Sequence, residues 1–281
     1  LAQISCAILP KEEIQKNNFI GARPYQFEEY RQNIYHLSAF PKFFGGSPYL
    51  EYVEIIDNHQ QVLDKFATHQ LDFILLENEE ITALQSKEFN TKIKAKTLLM
   101  NHFGAFNFRK KSIYSQNTEI RKAINYAVNK QRIIHEVWGD YGVIARTIFP
   151  TGILSDPSEK GFPYNPRLAR KILQKTQISV EHHPLKILKA RDPEGMVSQR
   201  NQMLKLIIED LHQIGIPTQI IEVPREQYFT HEAAEQVDLF LMAWLADTPD
   251  PDNYIRPLFT EGNFSNFGGF NDPEIEANMN L

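Results

Sequence analysis

Cysteine is almost absent from this sequence: Cys6 is the only one among 281 residues. An intrachain disulfide and a cysteine-based zinc site are therefore both excluded, while a single thiol leaves the redox compartment open. A lipid anchor at Cys6 would need a small-residue box behind a charged and apolar leader, and Gln3-Ile4-Ser5 fits that box poorly. Long apolar runs are missing as well, none approaching the roughly 20 residues that cross a bilayer as a helix. A basic excess is lacking: 30 Lys and Arg against 35 Asp and Glu give a formal charge of -5 and a pI near 6.0. That balance argues against a nucleic-acid surface, and the densest basic cluster, Arg109-Lys110-Lys111, is too short for a phosphate-tracking groove. There is no serine elbow, no glycine-rich phosphate loop and no paired histidines at helical spacing, so a catalytic or metal constellation is not expected. His102, His182-His183 and His231 read as surface histidines rather than ligands.

What is present is an ordinary globular composition, 42% hydrophobic and 23% charged, organised around Asp238 to Asn253. Leu239 to Ala243 is an apolar run of buried-strand length. Beyond it, Asp247, Asp250 and Asp252 alternate with Pro249 and Pro251, which lock φ, remove donors and end the strand. The pattern predicts a stiff acidic loop at the carboxyl end of a buried strand, with Trp244 at its mouth, the end where open α/β sheets bind ligands. The three acids start like a calcium loop but lack its glycine, and no second group converges to make a hydrolase site.

The remaining chain alternates helix and strand. Strands are expected over Ile4–Leu9, over a hairpin from Tyr25 to Leu37 turning near Arg31-Gln32-Asn33, and over Tyr52–Ile56, Leu71–Leu75 and Lys92–Met100. Further strands are expected over Leu185–Leu188, over Ile216–Val223 and into Trp244. Apolar spacing predicts helices over Asn58–Thr68, Ile81–Leu84 and Asn117–Trp138, the last carrying two apolar stripes with Asn129 between them as the cap of the second helix. Asn165 and Pro166 open a helix to about Lys175. A long helix runs from Pro193 to Ile214 and ends at Gly215, a shorter one spans Pro224–Gln236, and Asp272 caps a terminal one. Loops are expected over Phe43–Leu50, Gly142–Gly152 and Asn263–Asn271. The rhythm is that of a parallel-type sheet flanked by helices.

Four motifs resemble one family. Trp244, Ala246, Asp247, Asp250, Pro251, Asp252 and Asn253 match the W-x-A-D-x-x-D-P-D-N signature of family 5 extracellular solute-binding proteins, the peptide- and nickel-binding receptors of ABC importers. Gly21, Pro24, Tyr25, Phe43, Phe44, Gly45, Gly46, Pro48, Tyr49 and Leu50 fall where that family carries its G-T-G-P-Y turn and Y-W-G-G-x-P-Y-L loop. Ala22-Arg23, Pro41 and Phe44 depart from it. Ile120 to Lys130 is similar to V-R-Q-A-I-N-Y-A-I-D-R, and Tyr164-Asn165-Pro166 to the start of Y-D-P-E-K-A-K-x-L-L.

The resemblance implies a two-lobed α/β fold of the periplasmic-binding-protein type II class, here incomplete. Residues 1–110 would be part of lobe one and residues 111–281 lobe two, truncated at its end. It implies a non-enzymatic receptor without cofactor that captures a peptide between its lobes and hands it to membrane permease subunits, in the periplasm or outside the cell. Any membrane attachment would lie in a part outside this chain, which starts at Leu1 rather than Met and reads as a processed protein or a piece. By resemblance Asp247 pairs with the ligand's α-amino group, and Trp244 gives a flat apolar wall. Phe106 and Asn107, in the segment that crosses between lobes, are the other ligand-side candidates and form a hinge with Phe108. Asp250, Asp252 and Asn253 shape the loop. The alternatives are a cytoplasmic ligand-sensing domain of a transcription regulator with the same fold, and a hydrolase using the acidic loop.

Overall fold

The structure, a computed structural model, describes residues 23–56, 62–75, 98–139, 141–154, 158–191 and 196–279, apart from the side chains of Met196, Val197 and His231. The expected strand Ile4–Leu9, Cys6, the helix Ile81–Leu84 and most of the strand Lys92–Met100 lie outside these residues. The chain divides into two compact units, residues 1–92 and 93–281.

The first unit holds an antiparallel sheet of β1 (Tyr25–Arg31), β2 (Ile34–Ala39) and β3 (Tyr52–Ile56), in that order, and a short helix α1 (Val62–Ala67). Gln32 and Asn33 both adopt positive φ, 53° and 61°, the left-handed pair that a tight hairpin turn requires. Residues 71–75, expected as a strand, are irregular. No described strand lies alongside them, and Phe73 and Leu75 face solvent, so the apolar run finds neither a ladder nor a buried face.

The second unit is built on a four-stranded sheet of order β4 (Met100–Phe106), β7 (Leu239–Leu245), β5 (Leu185–Ala190) and β6 (Thr218–Val223). β4 runs antiparallel to β7, while β5 is parallel to both β6 and β7. Both faces of β7 are covered, which is why Leu239–Leu245 reads as an unbroken apolar run rather than an alternating one. Leu185, Ile187, Leu239 and Leu241 point to one face. There they pack against α3 (Thr118–Ala127), α4 (Lys130–Trp138), α5 (Pro166–Thr176) and α6 (Met196–Gln213), with α2 (Ile113–Gln116) beside them. Leu188, Ala190, Val223, Phe240 and Met242 point to the other face, against Tyr228, Val237 and α7 (His231–Glu235). Two caps fall at the expected residues: Asn129 accepts from Arg132 N, and Asn165 accepts from Leu168 N with Pro166 at the first position; Asn117 caps α3 as well, accepting from Glu119 N and Ile120 N. α8 (Asp252–Phe259) and α9 (Pro273–Met279) follow β7.

Three differences from the sequence reading matter. β4 occupies residues 100–106, partly beyond the expected strand, and joins the second unit because it pairs with β7 along its whole length. The compact units accordingly divide at residue 92 rather than near 107–115. Residues 224–236 form a 3₁₀ turn (Arg225–Gln227) and the five-residue α7 instead of one helix, because Tyr228 turns inward to the sheet.

The amino ends of β5 and β7 are tied by Asp238, 4% exposed. Its backbone N–H donates to Lys186 O at 2.8 Å, and its Oδ2 accepts from Lys186 N at 3.0 Å. Its Oδ1 lies 3.0 Å from Lys110 Nζ, and its carbonyl accepts from Asn107 N at 2.9 Å. Removing one partner of a buried pair strands the other in low dielectric, so Asp238→Ala should lower unfolding stability by about 3 kcal/mol. Asp238→Asn should cost less because it keeps the bond to Lys186. Urea unfolding followed by circular dichroism checks both.

Candidate functional site

β7 ends at Leu245 and the chain is caught at once by the next segment: Ala246 is buried and its N–H donates to Leu99 O at 2.9 Å. The acidic loop then closes on itself through Asn253. Asn253 Oδ1 accepts from Asp247 N at 3.4 Å, and Asn253 N donates to Asp250 O at 3.0 Å. Asp250 Oδ1 accepts from Asp252 N at 2.9 Å, the Asx arrangement that stiffens turns. Asp252 in turn pairs with Arg256 at 2.6 Å, one turn along α8.

Trp244 is fixed by a consequence of proline. Pro257 lies inside α8 and has no N–H, so the carbonyl four residues earlier, that of Asn253, lacks its helical donor. The Trp244 indole Nε1–H fills that vacancy at 2.8 Å. Beneath the loop Tyr254, fully buried, donates its hydroxyl to Leu99 O at 3.0 Å and meets the edge of Phe149 at 5.9 Å. With Ile153, Ala246 and Leu99 they form a small apolar cluster of which Trp244 is the partly exposed rim. Across the sheet Trp244 pairs with Asn101, whose buried amide donates to Ile148 O.

Asp247 is exposed, and among the described residues its carboxylate makes no hydrogen bond or ion pair. Asp247, Trp244, Asp250, Asp252 and Asn253 are thus together. Phe106 and Asn107 are not with them. Phe106 pairs with Leu239 at the other end of β7, five residues and about 17 Å from the Trp244 level at about 3.4 Å per residue. Phe106 packs on the helical side of the core. The Asn107 carboxamide is fully engaged: Nδ2 donates to Ala234 O at 2.7 Å and Val237 O at 3.0 Å, and Oδ1 accepts from Arg109 N at 3.1 Å. Among the described residues no group of three or more His, Asp or Glu side chains could hold a metal ion.

A second feature of the same sheet was not read from the sequence. β5 and β7 share register at Ile187 and Leu239 and then part, so the next outward-facing group of β7, Leu241, has no β5 partner. The Tyr228 hydroxyl takes the place, donating to Leu241 O at 2.9 Å and accepting from Leu241 N at 3.2 Å. Over the Tyr228 ring lies the Arg200 guanidinium, 4.7 Å from its centroid and 5.6 Å from that of Phe229. His102 Nδ1, also in the second unit, is buried without a hydrogen-bond partner among the described residues, and its ring lies 4.9 Å from Trp138. Burial, then the Arg200 charge, lower its pKa. A signal was available: Arg200 sits in phase with Met203, Leu204, Ile207 and Leu211, a charge on the apolar stripe of α6.

The Trp244 clamp is open to a double-mutant test. Trp244→Phe leaves the Asn253 carbonyl without a donor and should cost about 1–2 kcal/mol. Pro257→Ala restores a helical N–H, so Trp244→Phe should cost measurably less in that background; equal costs in the two backgrounds would sink the clamp. Chemical denaturation of the four proteins reads the coupling.

Comparison with known proteins fits this architecture. A model of "bacterial extracellular solute-binding proteins, family 5 Middle" matches residues 3–266. Heme-binding protein A of Haemophilus influenzae is 25% identical over 280 residues, covering 96% of this chain and 50% of that protein. The chain therefore spans about half the length of the curated relatives it matches. Among solved structures, a putative peptide-binding protein AppA from Clostridium difficile superposes with a TM-score of 0.78 at 17% identity, over 97% of this chain and 58% of that one. A dipeptide-binding protein from Pseudoalteromonas sp. SM9913, in complex with Met-Leu, gives 0.67 at 22% identity, over 97% and 57%. These likenesses show the mixed α/β fold of the solute-binding proteins, of which this chain covers part. With the family model matched across nearly its whole length, the chain belongs to the family 5 bacterial extracellular solute-binding proteins.

Proposed function

We propose that this chain is part of the solute-binding component of an ABC importer, which captures a peptide outside the cytoplasm and delivers it to permease subunits in the membrane. The observation that carries the reading is Asp247: an exposed carboxylate, unpaired among the described residues, on a loop pinned from both sides at the carboxyl end of a buried strand. In that setting it receives the α-amino group of the ligand as a charge-assisted hydrogen bond, which strengthens as water leaves. Trp244, held by its indole N–H at the same strand end and partly exposed, supplies apolar surface to the ligand. Asp250, Asp252 and Asn253 act through the loop, and Phe106 and Asn107 through the far end of the sheet.

Support comes from the relatives: a dipeptide-binding protein of Escherichia coli is 21% identical over 251 residues, and the solved structure with Met-Leu shares the fold. The family description places such proteins outside the cell. The matching relatives give no support to a cytoplasmic sensor of a transcription regulator. Binding, without a chemical step or a cofactor, is the whole activity in this reading.

Calorimetric titration of the full-length protein with a library of di- to pentapeptides tests it. Wild type should bind, and Asp247→Ala should lose on the order of 2 kcal/mol or more, the cost of removing one partner of a desolvated charge pair. Absence of peptide binding to the wild type would contradict the proposal.

A further inference from the structure

A carboxylate that receives an amine binds well only if its main chain is held still. Every loop conformation that misplaces it lowers the binding-competent fraction, and the apparent affinity falls with that fraction. Asp247 has little to hold it directly. Its N–H reaches Asn253 Oδ1 at 3.4 Å, longer than an ordinary N–H···O bond. Its placement therefore depends on the two ends of the loop, Ala246 just before it and Tyr254 just after Asn253.

Both ends are fastened to one atom. The last pair of the β4–β7 ladder is Met100 with Leu245, and one residue further the Ala246 N–H donates to Leu99 O at 2.9 Å. A carbonyl oxygen has a second lone pair, and the Tyr254 hydroxyl donates to this one at 3.0 Å. Residues 247–253 thus form a loop whose base is closed on the Leu99 carbonyl oxygen. The two fastenings differ in kind: the first continues the sheet, whereas the second reaches over from α8 by a side chain. Tyr254 is fully buried, and Phe149 meets its ring at 5.9 Å, so packing holds the ring where its hydroxyl meets Leu99 O. Trp244 and Asn253 do other work. The indole N–H joins the end of β7 to the Asn253 carbonyl, and the Asn253 side chain bonds within the loop. The tie to the start of β4 comes from Ala246 and Tyr254.

We propose that Tyr254 is the positioning residue of the amine site: its hydroxyl, through the Leu99 carbonyl, sets how well the Asp247 carboxylate is presented to the α-amino group of a ligand. This rests on the receptor reading above, in which Asp247 receives that amine. Buried as it is, the hydroxyl acts on the loop rather than on the ligand. Its removal should weaken ligands that use Asp247 and spare those that do not. The removal is also mild for the fold. Tyr254→Phe keeps the buried ring and its contact with Phe149, and Leu99 O retains the Ala246 N–H, so no carbonyl is stranded. A positioning role and a merely structural one are therefore separable.

The test uses Gly-Phe, Gly-Phe-Gly and Gly-Phe-Gly-Phe, each with a free and with an N-acetylated amine, titrated calorimetrically into the full-length protein. Wild type should favour the free amine by roughly 10- to 100-fold, as for a hydrogen bond to a charged partner. Asp247→Asn should remove most of that preference. In Tyr254→Phe the free-amine peptides should weaken about 2- to 10-fold, the size of one ordinary hydrogen bond, while the acetylated peptides bind as they do to wild type. Placed in the Asp247→Asn background, Tyr254→Phe should change neither form, the coupling expected of a group that acts through the carboxylate. Equal weakening of both forms by Tyr254→Phe is a structural role and overturns the inference, as does an undiminished amine preference; either result leaves the receptor reading standing. An absent amine preference in wild type, or one that survives Asp247→Asn, removes the Asp247 assignment and this inference with it. Should Tyr254→Phe fail to fold, hydrogen exchange on wild type decides. Free-amine peptides should slow exchange of the Ala246 amide, which shares Leu99 O with the hydroxyl, and acetylated ones should not; equal protection overturns the inference.

Discussion

The second unit depends on the way Asp238 fastens two parallel strands at one end only. Its main chain and carboxylate both bind Lys186, while Lys110 and Asn107 reach the same residue from beyond β4. Three strands are thereby brought to a common origin. No equivalent fastening exists for β5 and β7 further along: their shared register is given at Ile187 and Leu239, and by Leu241 the partner is a tyrosine hydroxyl rather than a strand. A right-handed twist accumulates along parallel strands, so a pair pinned at its amino ends separates toward its carboxyl ends. The sheet is closed at the fastened end and open at the end that carries the acidic loop.

The open end is made rigid by local means. Pro257 removes a helical donor and Trp244 supplies it, so the strand end and the following helix are joined by one indole hydrogen bond. Asn253 uses its main chain and side chain on both arms of the acidic loop. The outcome is that Asp247 is positioned through its backbone, and its exposed carboxylate makes no hydrogen bond or ion pair among the described residues. Groups held in place before binding lose little entropy on binding, and that favours affinity from few contacts.

Much of this was legible in the sequence because the signals are local. Asn129 between two apolar stripes, Asn165 before Pro166 and Gly215 after a long helix each act through their own backbone geometry, and each falls where expected. The apolar run into Trp244 and the Pro/Asp loop were equally plain. α8 was hidden because Pro257 reads as a helix breaker, although the bond it forfeits is replaced from another strand. The strand expected over residues 71–75 failed for a related reason: apolar residues become a strand only when a neighbour offers a ladder. Phe106 and Asn107 looked ligand-directed as a motif, but register puts them at the fastened end, where the Asn107 amide is occupied by Ala234 and Val237. Arg200 escaped notice because a charge on an apolar stripe is visible only once the stripe is known to be buried.

The most direct measurement is hydrogen–deuterium exchange on the full-length protein with and without a bound peptide. Ligand held at the open end should slow exchange at residues 244–254 and around Tyr228, while the amides of Lys186 and Asp238 at the fastened end, already protected, should not change. Protection that appears at the fastened end and leaves the acidic loop untouched would contradict the account.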